Sequence, residues 1–135
     1  MQLQVILVVE DEALILLDVE SALIEAGFEV VSARSAATAI ESFDAEPSKF
    51  AGLITDIRLG EGQSGWDIAR HVRQAVPAMP VIYMSGDSAP AWPAEGVPQS
   101  VMIQKPFVMA QIITALSTLL NQTPLERFND PSTHS

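Results

Sequence analysis

The chain contains no cysteine, which excludes disulfides, thiolate metal sites and cysteine nucleophiles together. Basic residues are scarce: seven Lys and Arg stand against 17 Asp and Glu, a formal charge of −10 with a pI near 4.3. Such a field repels nucleic acid and anionic membrane surfaces, so neither is an expected partner. Long apolar runs are also missing. The run Val5–Val9 is followed at once by Glu10-Asp11-Glu12, far short of the ~20 apolar residues that span a bilayer. It also lacks the basic flank of a signal peptide, and a cytoplasmic location is the expectation. His71 and His134 have no metal-ligand company nearby. What remains is apolar enough, at 48% against 18% charged, to bury the core of one compact domain.

Five apolar runs rich in Val and Ile read as strands: Leu3–Val9, Glu29–Ala33, Ala51–Thr55, Pro80–Met84 and Ser100–Gln104. The first is nearly continuous, as in a strand buried on both faces. Stretches with helical spacing lie between them. Glu12–Ala26 places Asp18, Ser21 and Glu25 on one face, with Gly27 as its stop. Ser35 is a candidate N-cap for Ser35–Asp44, Pro77 ends Trp66–Val76, and Phe107–Leu120 follows Pro106. Alternation of this kind predicts βαβ units, a parallel sheet and helices on both faces. Pro90, Pro93 and Pro98 interrupt the stretch Ser88–Gln99, so a fourth helix there is expected to be short or irregular. Residues 1–120 form the expected domain, and the polar 121–135, with Pro124 and Pro131, reads as a tail.

The residues after each expected strand carry the chemical information. Glu10-Asp11-Glu12 follows the first, Asp56 ends the third, Ser85-Gly86 the fourth, and Lys105-Pro106 the fifth. Only Ala33-Arg34, after the second, offers nothing comparable. Ligands of open α/β sheets bind beyond the carboxyl ends of the strands. Taken singly, each residue has a plain structural explanation. Acids at 11 and 12 suit a helix N-terminus, Asp56 a cap, Ser85-Gly86 a turn, and Lys105 a solvated surface. Taken together at one sheet edge, they describe a different object. Glu10, Asp11 and Asp56 would repel one another unless a cation joined them. A hard, oxygen-preferring ion such as Mg²⁺ (or Mn²⁺) suits that donor set. A metal beside a carboxylate nucleophile, a hydroxyl and a lysine is an arrangement for phosphoryl transfer.

These motifs, Val8-Val9-Glu10-Asp11-Glu12, Leu53-Ile54-Thr55-Asp56, Val81-Ile82-Tyr83-Met84-Ser85-Gly86 and Lys105-Pro106-Phe107, resemble those of bacterial response-regulator receiver domains of the CheY-like kind. Their order and spacing match across residues 3–120. The resemblance implies a flavodoxin-like, doubly wound sheet of five parallel strands in the order 2-1-3-4-5. It implies Asp56 as the phosphoacceptor, charged by a sensor histidine kinase or a histidine phosphotransfer protein. It further implies Mg²⁺ bound by Asp11, Asp56 and the main-chain carbonyl of Arg58, with Glu10 acting directly or through water. Lys105 would pair with the phosphoryl group, and Ser85 would move toward it. Arg58 and Asp87 fall at positions that tune the dephosphorylation rate in the family, and their opposite charges can pair across the mouth of the site.

Three features depart from the family pattern. Met102 stands where an aromatic residue usually completes the switch, leaving Tyr83 or Trp92 as substitutes. The loop Arg58–Gly65 lacks the familiar proline and is about one residue longer. The Pro-rich 88–99 stretch replaces the helix that normally reports phosphorylation, and is expected to be mobile or to rearrange. The helix Phe107–Leu120 has no charged residue. Its outer face is therefore expected to be covered, by a second protomer in a homodimer or by Leu125 and Phe128 folding back. The 15 residues beyond residue 120 are too few for an effector domain. The expectation is a stand-alone switch that acts on an unidentified downstream protein or in a phosphorelay, and is not an enzyme. Two rivals are a pseudo-receiver with a decayed switch and an aspartyl-phosphate phosphatase of the haloacid dehalogenase type. The latter needs a second Asp two residues after its nucleophile behind the first strand, where this chain has Glu10 and Glu12.

Overall fold

The computed structural model describes the backbone of residues 3–128 and the side chains of residues 3–122. Five parallel strands form one sheet in the order β2-β1-β3-β4-β5. They are β1 Val5–Val9, β2 Glu29–Ala33, β3 Phe50–Asp56, β4 Val81–Ser85 and β5 Val101–Gln104. β1 and β4 are buried along their whole length, the pattern of strands covered by helices on both faces.

The helices are α1 Ala13–Glu25, α2 Ala36–Ala45, α3 Gly65–Ala75, α4 Trp92–Glu95 and α5 Met109–Phe128. α1 buries Leu16, Val19 and Leu23 at helical spacing and keeps Asp18, Ser21 and Glu25 exposed. It ends where Gly27 takes φ +98°. There the Phe28 N–H donates to the Leu23 carbonyl and the Gly27 N–H to that of Ile24. That pair of bonds is a Schellman stop, which a side chain at residue 27 would strain. Ser35 caps α2 by accepting the Thr38 N–H. Ser64 and Asp67 form a reciprocal capping box at the start of α3.

The sheet divides the apolar interior in two. Val5, Leu7, Val9, Leu53, Val81 and Tyr83 pack with Phe43 of α2 and with Ile68 and Val72 of α3. Ile6, Val8, Ile54, Ile82 and Met84 pack with α1 and with Ile112 and Leu116 of α5.

The interrupted segment is short, as expected: a 3₁₀ turn at Ala89–Ala91 leads into the four-residue α4. It is also tethered. Arg70 of α3 binds the carboxylate and carbonyl of Glu95. Arg73 donates to the carbonyls of Met79 at 2.7 Å and Pro98 at 2.6 Å. The buried Tyr83 hydroxyl accepts the Val97 N–H at 3.0 Å. One boundary expectation is corrected. α5 continues to Phe128, so residues 121–128, read from sequence as tail, are helical. Pro124 removes one donor from the ladder, and the turns around it carry on. Residues 129–135 and the side chains of Leu125 and Phe128 lie outside the described residues, as does the idea that they fold back.

Candidate phosphoacceptor site

β1 and β3 are neighbours in the centre of the sheet, and their ends bring the acids together. Glu10, Asp11 and Asp56 each present a carboxylate oxygen within 4.8 Å of the others. Glu10 has no exposed surface and Asp56 is 5% exposed. Lys105, which follows β5, reaches across so that its Nζ lies 3.0 Å from Glu10 Oε1 and 3.3 Å from Asp56 Oδ2. Glu12 Oε1 stands 3.8 Å from the same ammonium.

Glu10 has two tasks. Its Oε1 accepts from Lys105, while its Oε2 accepts the Glu12 N–H at 3.1 Å, serving a donor at the head of α1 that has no helical partner. Burial raises its pKa from 4.5 to about 7, helped by the charge of Asp56 and opposed by the Glu12 amide and Lys105. For Lys105, burial works against the ammonium. The Glu10 hydrogen bond and the Asp56 charge outweigh it, and the pKa is raised. The lysine is therefore firmly protonated at neutral pH.

The backbone around Asp56 is held tightly. The Thr55 hydroxyl donates to the Asp56 carbonyl at 2.8 Å. The Ile57 N–H donates to Met84, and the Gly65 N–H to Ile57. Gly65 approaches so closely that a Cβ there would fall 2.2 Å from the Asp56 carbonyl oxygen. The glycine is thus required by the loop that returns from the acceptor to α3.

Ser85 is buried at the end of β4, and its hydroxyl oxygen accepts the N–H of Asp87 at 3.2 Å and of Ser88 at 2.7 Å. It therefore faces the turn that leads to α4. Arg58 and Asp87 form the expected pair across the mouth, with Nη2 to Oδ2 at 3.0 Å. Both are well exposed, so the pair is worth at most ~1 kcal/mol. Met102 is half-buried opposite Tyr83 in the β4–β5 register. Tyr83 lies on that face with its ring tilted against that of Trp66, the centroids 4.7 Å apart.

One contributor was missed from sequence. Arg34, after β2, donates from Nη2 to the Asp11 carbonyl at 2.8 Å. Its only sequence signal is a cation following a strand in a chain with few cations.

The carboxylates of Glu10, Asp11 and Asp56, with oxygens within 4.8 Å of one another, fit a divalent cation, since they form a hard oxygen donor set whose mutual repulsion such an ion would relieve. The chain matches the family described as response regulator receiver domain over residues 6–117. It belongs to that family. A receiver protein from Sinorhizobium medicae shares 44% identity at a TM-score of 0.87, covering 90% of this chain and 98% of that one. A receiver domain from Clostridium thermocellum shares 29% at a TM-score of 0.80, covering 91% and 98%. The phyllosphere-induced regulator PhyR of Methylorubrum extorquens is 32% identical over 117 residues, or 85% of this chain. This receiver spans only 43% of PhyR's length. Receivers bind Mg²⁺ at an acidic pocket and serve as phosphoacceptors rather than as classical enzymes. Among the described residues of this receiver, no helix is long and apolar enough to cross a membrane.

Proposed function

We propose that this receiver accepts a phosphoryl group on Asp56 from the phosphohistidine of a sensor kinase or phosphotransfer protein, in a Mg²⁺-dependent reaction. The supporting observation is the convergence of Asp56, Asp11, Glu10 and Lys105 at the ends of the two central strands and β5. In the transfer an Asp56 carboxylate oxygen forms the new P–O bond while the P–N bond to the donor imidazole breaks. Asp11, Asp56 and the Arg58 carbonyl would hold Mg²⁺, with Glu10 as ligand or through water. The ion, when bound, neutralises charge on the phosphoryl oxygens. Lys105, poised 3.3 Å from Asp56, grips one of those oxygens as a point charge. Ser85 lies at the head of the α4 turn and couples occupancy of the site to that turn. Arg58 and Asp87 screen the mouth and set how readily water hydrolyses the acyl phosphate.

The donor's approach has a natural surface. Leu14 and Leu17 of α1 and Val108 are 77%, 55% and 65% exposed. Ile15, Phe107 and Met109 line a cavity of about 380 Å³ that includes Lys105. An apolar helix of a donor protein would bury these residues beside the acceptor. Output by a homodimer through Phe107–Leu120 is supported by an uncharged groove of about 440 Å³ along β5 and α5. It is lined by Val101, Ile103, Ala110, Gln111, Thr114 and Ala115. Sedimentation with beryllofluoride and Mg²⁺ tests it, a monomer at tens of micromolar being the contrary result. The pseudo-receiver reading keeps Met102 in its favour, and the partly buried Lys105 aimed at Glu10 and Asp56 speaks against it.

The decisive experiment is treatment with acetyl phosphate and Mg²⁺ followed by mass spectrometry. Wild-type protein is expected to gain one phosphoryl group, and Asp56→Asn none. Unmodified wild-type protein, folded and given Mg²⁺, sinks the proposal.

A further inference from the structure

The second strand was expected to contribute nothing to the site, yet it places a cation on the metal-binding loop. Arg34 leaves the end of β2, and its Nη2 meets the Asp11 carbonyl at 2.8 Å. One residue earlier, the Ala33 carbonyl accepts the Glu10 N–H at 3.1 Å. The peptide units of Glu10 and Asp11 are thus pinned to β2 by two successive bonds, one from the strand ladder and one from a side chain.

Asp11 lies past the end of β1 and before the first residue of α1, so its peptide plane is held by side chains: the Glu12 N–H of that unit donates to Glu10 Oε2, and Arg34 anchors the carbonyl at the other side. Its side chain carries like charge to Glu12 beside it and Asp56 opposite, and that repulsion works against their convergence. A charge-assisted bond to the carbonyl holds the loop against it, and the guanidinium offsets part of the local negative charge.

We infer that Arg34 is a positioning residue for the cation site: it holds the Asp11 peptide so that the Asp11 and Glu10 carboxylates stay in reach of Asp56. The inference rests on the metal-assisted reading above. It assigns Arg34 a role in how tightly the cation is held and none in the transfer of the phosphoryl group itself.

The test is Mg²⁺ titration by calorimetry on wild type, Arg34→Ala and Arg34→Lys, paired with acetyl phosphate labelling as a function of Mg²⁺. Loss of one such bond predicts an affinity about three- to ten-fold weaker in Arg34→Ala. The labelling rate at saturating Mg²⁺ should be unchanged. Arg34→Lys, which keeps a charged donor, should recover most of the affinity. A merely structural residue would lower the labelling plateau along with the affinity, or lower folded stability with no rescue by lysine. Either result overturns the inference, as does Arg34→Ala binding Mg²⁺ within twofold of wild type. If wild type itself binds no Mg²⁺, the underlying reading of the site fails, a result separate from the other two.

Discussion

Replacing Glu10 by Gln tests the electrostatics of the site without disturbing its shape. The Glu10 side chain is fully buried, and its carboxyl titrates at about 7 in the fold against 4.5 in an unfolded chain. Between those values the folded protein holds a proton that the unfolded chain has released. The resulting stability is fully present below about pH 4.5 and is lost as pH rises through about 7. At ~1.4 kcal/mol per pH unit, going from about pH 5 to about pH 8 removes about 2–3 kcal/mol. The attraction of Lys105 is already contained in that shift. Glutamine is neutral throughout; its single amide oxygen can accept from Lys105 or from the Glu12 amide but not from both, a loss that offsets its stability curve without giving it a slope in pH. Urea unfolding in the presence of a chelator should therefore show wild type losing about 2–3 kcal/mol relative to Glu10→Gln across that range. Millimolar Mg²⁺ should reverse the trend in wild type, because the cation selects the ionised carboxylate and stabilises more as pH rises. Parallel stability curves for the two proteins in chelator would refute the reasoning, since the carboxyl would then titrate alike in both states.

Other substitutions probe the supports of the site. Gly65→Ala puts a methyl group 2.2 Å from the Asp56 carbonyl. It should cost about 3 kcal/mol or more in chemical denaturation, and acetyl phosphate labelling should fall with it; wild-type stability would mean that the loop yields. Tyr83→Phe leaves the Val97 N–H without its acceptor, a cost of about 1–3 kcal/mol, and hydrogen exchange at Val97 should accelerate while that in β1 does not. Asp87→Ala breaks an exposed pair with Arg58. It should change the thermal midpoint little and act instead on the lifetime of phosphorylated Asp56, measured by decay of the label.

The sequence made the sheet, its helices and the acidic site legible because the signals were local. Glu10, Asp11, Asp56, Ser85 and Lys105 each follow an apolar run, and a strand's end is where a parallel sheet places its chemistry. The contacts that were not legible join residues distant in the chain through main-chain atoms. Arg34 to Asp11, Arg73 to Pro98 and Val97 to Tyr83 all use a backbone group, which any residue supplies, so the partner leaves no mark in the pattern. The second task of Glu10, as acceptor for the Glu12 amide just ahead of α1, is hidden for the same reason. The end of α5 is hard to see in the sequence because Pro124 reads as a stop, while the helix runs on to Phe128. The tethering of 88–99 was missed because its prolines spoke only against a helix, and not against attachment by arginines from α3.

The division of the apolar interior has a bearing on how such a molecule can be used. Leu53 and Ile54 are neighbours in the chain but send their side chains to opposite faces of the sheet. Side chains under α2 and α3 can shift without forcing those under α1 and α5 to follow. The exposed leucines Leu14 and Leu17 and the ground near Trp92 thus stand over separate halves of the interior.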